Sequence, residues 1–172
     1  MRRFLRRRQS GAVLMETVLW VPILVMLLMG TVELTRVTYT YYTLKKILYN
    51  LTRYAGTQSG VNFCDENDAI LASAKAMALT GTPDGSGDPL LPGLTADQIT
   101  IRLERFSTDN GALLECACEA SASGCDAAQG APSPDYIVAT IPEGYGMTLR
   151  IPGLPNEPIP LKPQVRLPFG GL

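Results

Sequence analysis

The stretch AVLMETVLWVPILVMLLMGTV, residues 12–32, decides the class of this protein. It contains a single charged residue, Glu16, and its 21 residues at about 1.5 Å each cross the roughly 30 Å hydrocarbon core of a bilayer. A cleaved secretory signal fits poorly, because such signals have a shorter apolar region followed by an A-x-A-like site. The segment is therefore predicted to stay in the mature protein as a transmembrane helix.

Charge is distributed unequally on the two sides of this span. The chain has 15 basic and 16 acidic residues, but five of the basic ones are arginines within residues 2–8. Residues 12–172 hold the other 10 basic residues against all 16 acidic ones, a net charge of about −6. The positive-inside rule places residues 1–11 in the cytoplasm and the chain beyond the span outside. A basic N-terminal segment followed by an acidic remainder argues against nucleic-acid binding by the whole chain.

Glu16 is the most informative residue of the span. A carboxylate inside a membrane helix costs roughly 2.5–3.5 kcal/mol on insertion scales, so it needs a partner or a position shallow enough to reach headgroups and water. A partner would arise from a cut between Gly11 and Ala12, because the new α-amino group could pair with Glu16 of a neighbouring copy. The residues alone leave both explanations open.

The sequence around this position resembles that of known pilin precursors. RRRQSG followed by AVLMETVLWVP, residues 6–22, resembles a class III signal peptide, the leader that prepilin peptidases remove from type IV pilin-like proteins. Position 17 is threonine, whereas the major pilins of the Flp group usually carry tyrosine there. The longer stretch over residues 15–56 resembles the TadE-like family of minor pilins (pseudopilins) of tight-adherence, or Flp, pilus systems. The residues that carry this resemblance are Glu16, Pro22, Gly30, Glu33, Arg36, Asn50, Arg53, Tyr54 and Ala55.

This resemblance implies a minor pilin that takes part in assembling a Flp-type pilus for surface adhesion, at initiation or in a tip complex. The implied site residues are Gly11 and Ala12 for processing and Glu16, Pro22, Glu33 and Arg36 for assembly. Implied partners are prepilin peptidase, other minor and major pilins, the inner-membrane assembly platform and the lipid bilayer. The implied location is the inner (cytoplasmic) membrane, with the head outside, and then the pilus at the cell surface. The alternative is an uncleaved single-pass membrane protein whose extracytoplasmic head binds another cell-envelope component.

The helical pattern continues past the membrane. Apolar residues spaced three and four apart form a heptad-like seam between residues 34 and 55. Its members are Leu34, Val37, Tyr41, Leu44, Leu48, Leu51 and Ala55. One helix over residues 12–55 would be about 66 Å long, the shape of a pilin stalk docked on a head. Pro22 lacks an N–H, so we expect either a mild kink there or a proline that the membrane helix tolerates.

A small head domain is predicted to follow the stalk. The predicted segments are a basic leader (1–11), a transmembrane segment (12–32), an extracytoplasmic helix continuation (33–56) and a head (57–172). The predicted strands are ITIRLERF (99–106), ALLECACEA (112–120), YIVATI (136–141), MTLRI (147–151) and PLKPQVRL (160–167), the last at a sheet edge. With a second helix over residues 67–80, the expected fold class is α+β: a long N-terminal helix, one further helix and a four- to five-stranded antiparallel sheet.

Four cysteines, Cys64, Cys116, Cys118 and Cys125, follow the span and are predicted to lie outside the cytoplasm. This number and location indicate two disulfides that staple the head. Cys116 and Cys118 share one face of a predicted strand and should not pair with each other. The preferred pairing is Cys118 with Cys125 and Cys64 with Cys116, with the swapped arrangement next. A four-cysteine zinc site is disfavoured because the chain has no C-x-x-C pair.

The sequence offers no catalytic constellation. Histidine is absent, which excludes a Ser-His-Asp triad, a Cys-His dyad and a His-ligated zinc. There is no P-loop, no G-x-G-x-x-G and no G-x-S-x-G motif. DGSGD, residues 84–88, is predicted to be a flexible turn, because Pro89 stands where a calcium loop requires glycine. We therefore expect a protein that is not an enzyme and that holds no metal and no cofactor.

Overall fold

The computed structural model describes residues 2–58, 60–65, 67–109, 111–116, 133–152 and 157–170, with side chains from Gly11 onward except that of Ala12. Within these residues, helix α1 (Arg2–Ala55) and helix α2 (Ala69–Thr80) precede a short 3-10 helix at Ala96–Gln98. The strands are β1 (Thr100–Ser107), β2 (Ala112–Glu115), β3 (Tyr136–Thr140), β4 (Tyr145–Thr148), β5 (Pro158–Leu161) and β6 (Gln164–Pro168). The expected α+β class is confirmed in its long apolar helix, its second helix and its antiparallel sheet.

Helix α1 has 54 residues, which span about 81 Å at 1.5 Å per residue. Its predicted end is confirmed: α1 stops at Ala55, and the N–H of Gly56 donates to the carbonyl oxygen of Thr52 at 2.9 Å. Its start differs from the prediction, because the helix begins at Arg2 rather than at residue 12. Arginine is a good helix former, so the basic leader extends the same backbone ladder. The helix also continues through Pro22.

The chain divides into two compact units, one formed by Met1–Tyr39 and Thr148–Pro158, the other by Thr40–Met147 and Ile159–Leu172. The first unit contains the apolar part of α1. The second contains the C-terminal part of α1, helix α2 and the four-stranded sheet. The segment boundaries predicted at residues 11, 32 and 56 stay a prediction.

Helix α2 is capped at both ends. The Asp68 carboxylate accepts hydrogen bonds from the backbone N–H groups of Ile70 and Leu71, each at 2.9 Å. At the other end Gly81 adopts φ 82° and donates its N–H to the Met77 carbonyl oxygen at 2.9 Å. An acidic N-cap and a left-handed glycine after the last turn are the usual boundaries of a helix. The predicted helix over residues 67–80 is thus confirmed, with its start two residues later.

The sheet has four strands in the order β2-β1-β3-β6, and each neighbouring pair is antiparallel. Leu103 of β1 lies opposite Ile137 of β3, which lies opposite Leu167 of β6. Strand β6 forms an edge of this sheet, as predicted for the last strand.

Two strand predictions are wrong in detail. PLKPQVRL forms two strands rather than one, because prolines cannot donate to a strand ladder and Pro163 falls between β5 and β6. The strand after PEGYG does not join the four-stranded sheet, since β4 pairs with β5 in a separate two-stranded sheet. Gly144, at φ 83°, makes this turn, and a Cβ on it would lie 2.7 Å from the Cβ of Pro160. Only glycine fits such a close approach of the turn to β5.

The main core lies beneath the C-terminal part of α1. Fully buried residues of α1 pack with residues of α2, with the segment after it and with β3. The buried members from α1 are Leu44, Ile47, Leu48, Leu51 and Ala55, all 0% exposed. The predicted seam is therefore confirmed from Leu44 to Ala55 but is wrong at Leu34, which is 67% exposed. A helix buries a residue only where another element covers it, and the periodicity alone does not show where that cover begins.

Candidate assembly surface on the N-terminal helix

An apolar surface covers α1 between residues 13 and 32. Every large apolar side chain in this stretch is exposed, from 43% at Met29 to 72% at Met15. Among the described residues, α1 is the one helix that is long and apolar enough to cross a membrane. Apolar surface in water costs about 25 cal/mol per Å², so a helix of this kind requires lipid or protein around it. The length and hydropathy of this helix indicate a membrane-anchored protein.

Threonine hydroxyls in and after this stretch are satisfied within the helix itself. Thr17 Oγ1 donates to the carbonyl oxygen of Val13, and Thr31 Oγ1 donates to that of Leu28, both at 2.8 Å. Thr35 and Thr38 bond to the helix backbone in the same way. A hydroxyl bonded to its own helix loses little when it is transferred from water to an apolar medium. These four residues are thus compatible with an apolar environment.

Glu16 is exposed and forms no hydrogen bond or ion pair with any residue that the structure describes. It lies five residues after Gly11, a separation of about 7.5 Å along the helix axis. Gly11 is itself exposed and helical, and a Cβ at that position would meet no atom within 4 Å. The predicted processing site between Gly11 and Ala12 is therefore accessible but lies in continuous helix, and the side chain of Ala12 is outside the described set.

Pro22 lies six residues, about 1.7 turns, after Glu16, on an exposed part of the helix. Because proline has no N–H, the carbonyl oxygen of Val18 lacks its usual intrahelical donor. Helix α1 nevertheless continues through Pro22 without a break. The proline therefore does not end the helix, and its role in assembly stays a prediction.

Glu33 and Arg36 are the two predicted assembly residues that the structure brings into contact. Arg36 Nη1 donates to both carboxylate oxygens of Glu33, at 2.9 Å and 3.0 Å. The side chain of Glu33 is only 8% exposed, whereas that of Arg36 is 42% exposed. Residues three apart face each other on a helix, so the E-x-x-R spacing was itself the signal for this ion pair. The burial of Glu33 was not predicted, because it depends on tertiary cover.

Cys64 and Cys116 are disulfide-bonded, and no free cysteine occurs among the described residues. Cys118 and Cys125 fall outside those residues. The predicted pairings, Cys118 with Cys125 and Cys64 with Cys116, stay predictions.

The DGSGD segment forms an exposed turn, as its sequence predicts. The Asp84 carboxylate accepts hydrogen bonds from Ser86, at 3.0 Å from Oγ and 3.3 Å from the backbone N. These bonds stabilise the carboxylate and lower the pKa of Asp84 below its usual value of 3.8. No group of three or more His, Cys, Asp or Glu residues suited to a metal occurs in the described parts of the chain.

A scan of protein families matches residues 11–49 to the family described as TadE-like protein. The N-terminal helix is TadE-like. This match confirms the TadE-like resemblance of the helix, and the family indicates a protein associated with the Tad, or Flp, pilus. The match begins at Gly11, and within the TadE-like helix it includes Glu16, Pro22, Glu33 and Arg36. No curated protein and no solved structure matches the chain.

Proposed function

We propose that this protein is a minor pilin that takes part in assembling a Flp-type pilus for surface adhesion, at initiation or in a tip complex. The observation that carries the proposal is the TadE-like helix itself. It presents an exposed apolar surface with one carboxylate, Glu16, that has no partner among the described residues and lies five residues after Gly11. The role is structural rather than enzymatic.

Processing would supply the missing partner of this carboxylate. Cleavage after Gly11 removes the arginine-rich leader and leaves the α-amino group of Ala12 as a cation at the helix N-terminus. That cation pairs with Glu16 of an adjacent subunit and cancels two charges that would otherwise be stranded in an apolar environment. Because each charge alone is costly there, the pair sets the axial register between neighbouring subunits.

The location and the partners follow from the same helix. The leader arginines retain residues 1–11 in the cytoplasm, so the acidic body is placed on the other side of the inner membrane. The TadE-like helix then passes from the bilayer into contact with the helices of other minor and major pilins. Prepilin peptidase and the inner-membrane assembly platform act on it at the cytoplasmic face.

The decisive experiment replaces Glu16 in cells that contain the complete pilus system. Glu16→Gln removes the charge and retains the shape, and Thr17→Val is the matched control on the next residue. We expect both variants to insert in the membrane and to be cleaved, while Glu16→Gln enters sheared pili about tenfold less than wild type, or about 1.4 kcal/mol. Normal incorporation of Glu16→Gln would refute the charge pairing.

A second candidate function is an uncleaved single-pass protein whose head binds another envelope component. Its support is the continuous helix across the Gly11–Ala12 bond, since a helical peptide bond must unwind before a peptidase can cut it. N-terminal sequencing of the membrane form separates the two functions. A chain that begins at Ala12 supports the pilin, and one that begins at Met1 in cells with active peptidase supports the alternative.

A further inference from the structure

A groove separates the C-terminal ends of α1 and α2 within the second compact unit. It has a volume of about 510 Å³. Each helix contributes residues three and four apart, which is one face of each helix. The residues that matter most to its chemistry are Asn50, Arg53 and Tyr54 on α1, and Ala74, Met77 and Ala78 on α2. One wall is therefore polar and cationic, and the other is small and apolar.

The outward side of α2 is apolar as well. AILASAKAMALT contains one charged residue, Lys75, and Ala69, Ala72 and Met77 are all exposed. Exposed faces of helices in globular proteins normally carry several charged residues. This side of α2 and the groove beside it share Met77, and together they form the surface considered below.

Charges of opposite sign lie at the two ends of this surface. Arg53 is exposed at the groove end and makes no ion pair with a described residue. The N-cap Asp68 lies at the opposite end of α2, about 13.5 Å from Met77 at helical rise, and Asp65 precedes it by three residues. A surface with a cation at one end and carboxylates at the other is complementary to itself when two copies meet about a two-fold axis.

We propose that the groove binds helix α2 of a second copy of this chain. The two α2 helices run antiparallel about a two-fold axis, so that Met77 of each copy packs against the N-terminal turn of the other. Arg53 of each copy then faces the carboxylates of its partner, giving two equivalent ion pairs. The contact is smaller than a standard interface of about 1,600 Å², so it requires the high local concentration that membrane anchoring supplies.

Photo-crosslinking of the full chain tests this contact. p-Benzoylphenylalanine is placed at Met77, and at Ile159 as an exposed apolar control on β5, in membranes of a host without pilus proteins. The expected product from position 77 is a dimer whose crosslinked peptide includes residues 65–72 of the second copy, with at least about fivefold more dimer than from position 159. Equal yields, or a crosslink that maps elsewhere, would overturn the proposal.

Charge reversal, read out by the same crosslink, tests the proposed ion pairs. Arg53→Glu or Asp65→Lys should each reduce the crosslink at position 77 about fivefold, because two exposed ion pairs become repulsive. The double variant should restore it, while Glu143→Lys, at an exposed acid in the β3–β4 turn, should have no effect. Failure of the double variant to recover would contradict the pairing. Because the host lacks pilus proteins, none of these results depends on the proposed pilin function.

Discussion

Two leucines of α1 that share one predicted seam should behave in opposite ways when they are truncated. Leu51 is 0% exposed within the core, whereas Leu34 is 67% exposed. Leu51→Ala removes three buried carbon atoms, worth about 2.4 kcal/mol at 0.8 kcal/mol each. A residual cavity of about 50 Å³ adds about 1.2 kcal/mol. We expect the head to lose about 3.5 kcal/mol of its unfolding free energy, a large part of the roughly 5–15 kcal/mol typical of a domain.

Pulse proteolysis in urea measures this loss on the full chain in lipid vesicles. For a urea m-value of about 1–3 kcal/mol per molar, the midpoint of head unfolding should fall by about 1.2–3.5 M in Leu51→Ala. Leu34→Ala is the matched control, with the same chemical change on the same helix. Its midpoint should stay within about 0.2 M of wild type, because an exposed leucine makes little contribution to packing.

Either of two results would refute this account of the helix. An unchanged midpoint in Leu51→Ala would mean that the end of α1 is not part of the head core. Equal losses in both variants would mean that the buried side of α1 already begins at Leu34, as the heptad-like spacing predicts.

Three further predictions test the turns and caps of the head. Gly144→Ala should destabilise the head by about 1–3 kcal/mol more than Gly93→Ala in urea unfolding. Both glycines have φ 83°, but of the two only Gly144 is placed so that a Cβ would collide with a neighbour. Equal losses of stability in the two variants would contradict this reasoning. Asp68→Ala should cost about 1–2 kcal/mol through loss of the N-cap, seen as faster amide exchange in the first turn of α2. In an NMR titration the Asp84 carboxylate should stay ionised to a lower pH than an ordinary aspartate. Ser86→Ala should raise the pKa of Asp84, because it removes the hydrogen bond from the Ser86 hydroxyl. An unchanged pKa in this variant would exclude that hydrogen bond as the cause of the lowered pKa.

The residues of the candidate site were chosen from local features of the sequence. The apolar stretch, the position of Glu16 relative to Gly11 and the E-x-x-R spacing are all read along one helix, where geometry follows from residue number. The two ends of α2 were predictable for the same reason, since Asp68 and the glycine after Thr80 act on neighbouring backbone groups.

The partners of each strand were harder to predict. The alternation of apolar and polar residues predicted the positions of β1 and β3 correctly. It could not show that β4 pairs with β5 in a separate sheet instead of joining the four-stranded sheet. That choice depends on how closely Gly144 approaches Pro160, two residues 16 positions apart. Likewise, PLKPQVRL has the composition of one strand. Its division into β5 and β6 at Pro163 depends on which backbone groups lie opposite a neighbouring strand.

The order of residues alone therefore established the membrane helix, its TadE-like character and the isolated carboxylate within it, because hydropathy, charge and helical spacing act over a few residues. Tertiary packing decided the rest: which part of the long helix is covered, that Glu33 is buried beside Arg36, and that a groove remains open next to α2. A side chain is buried by the residues that pack against it, and those residues come from distant parts of the chain.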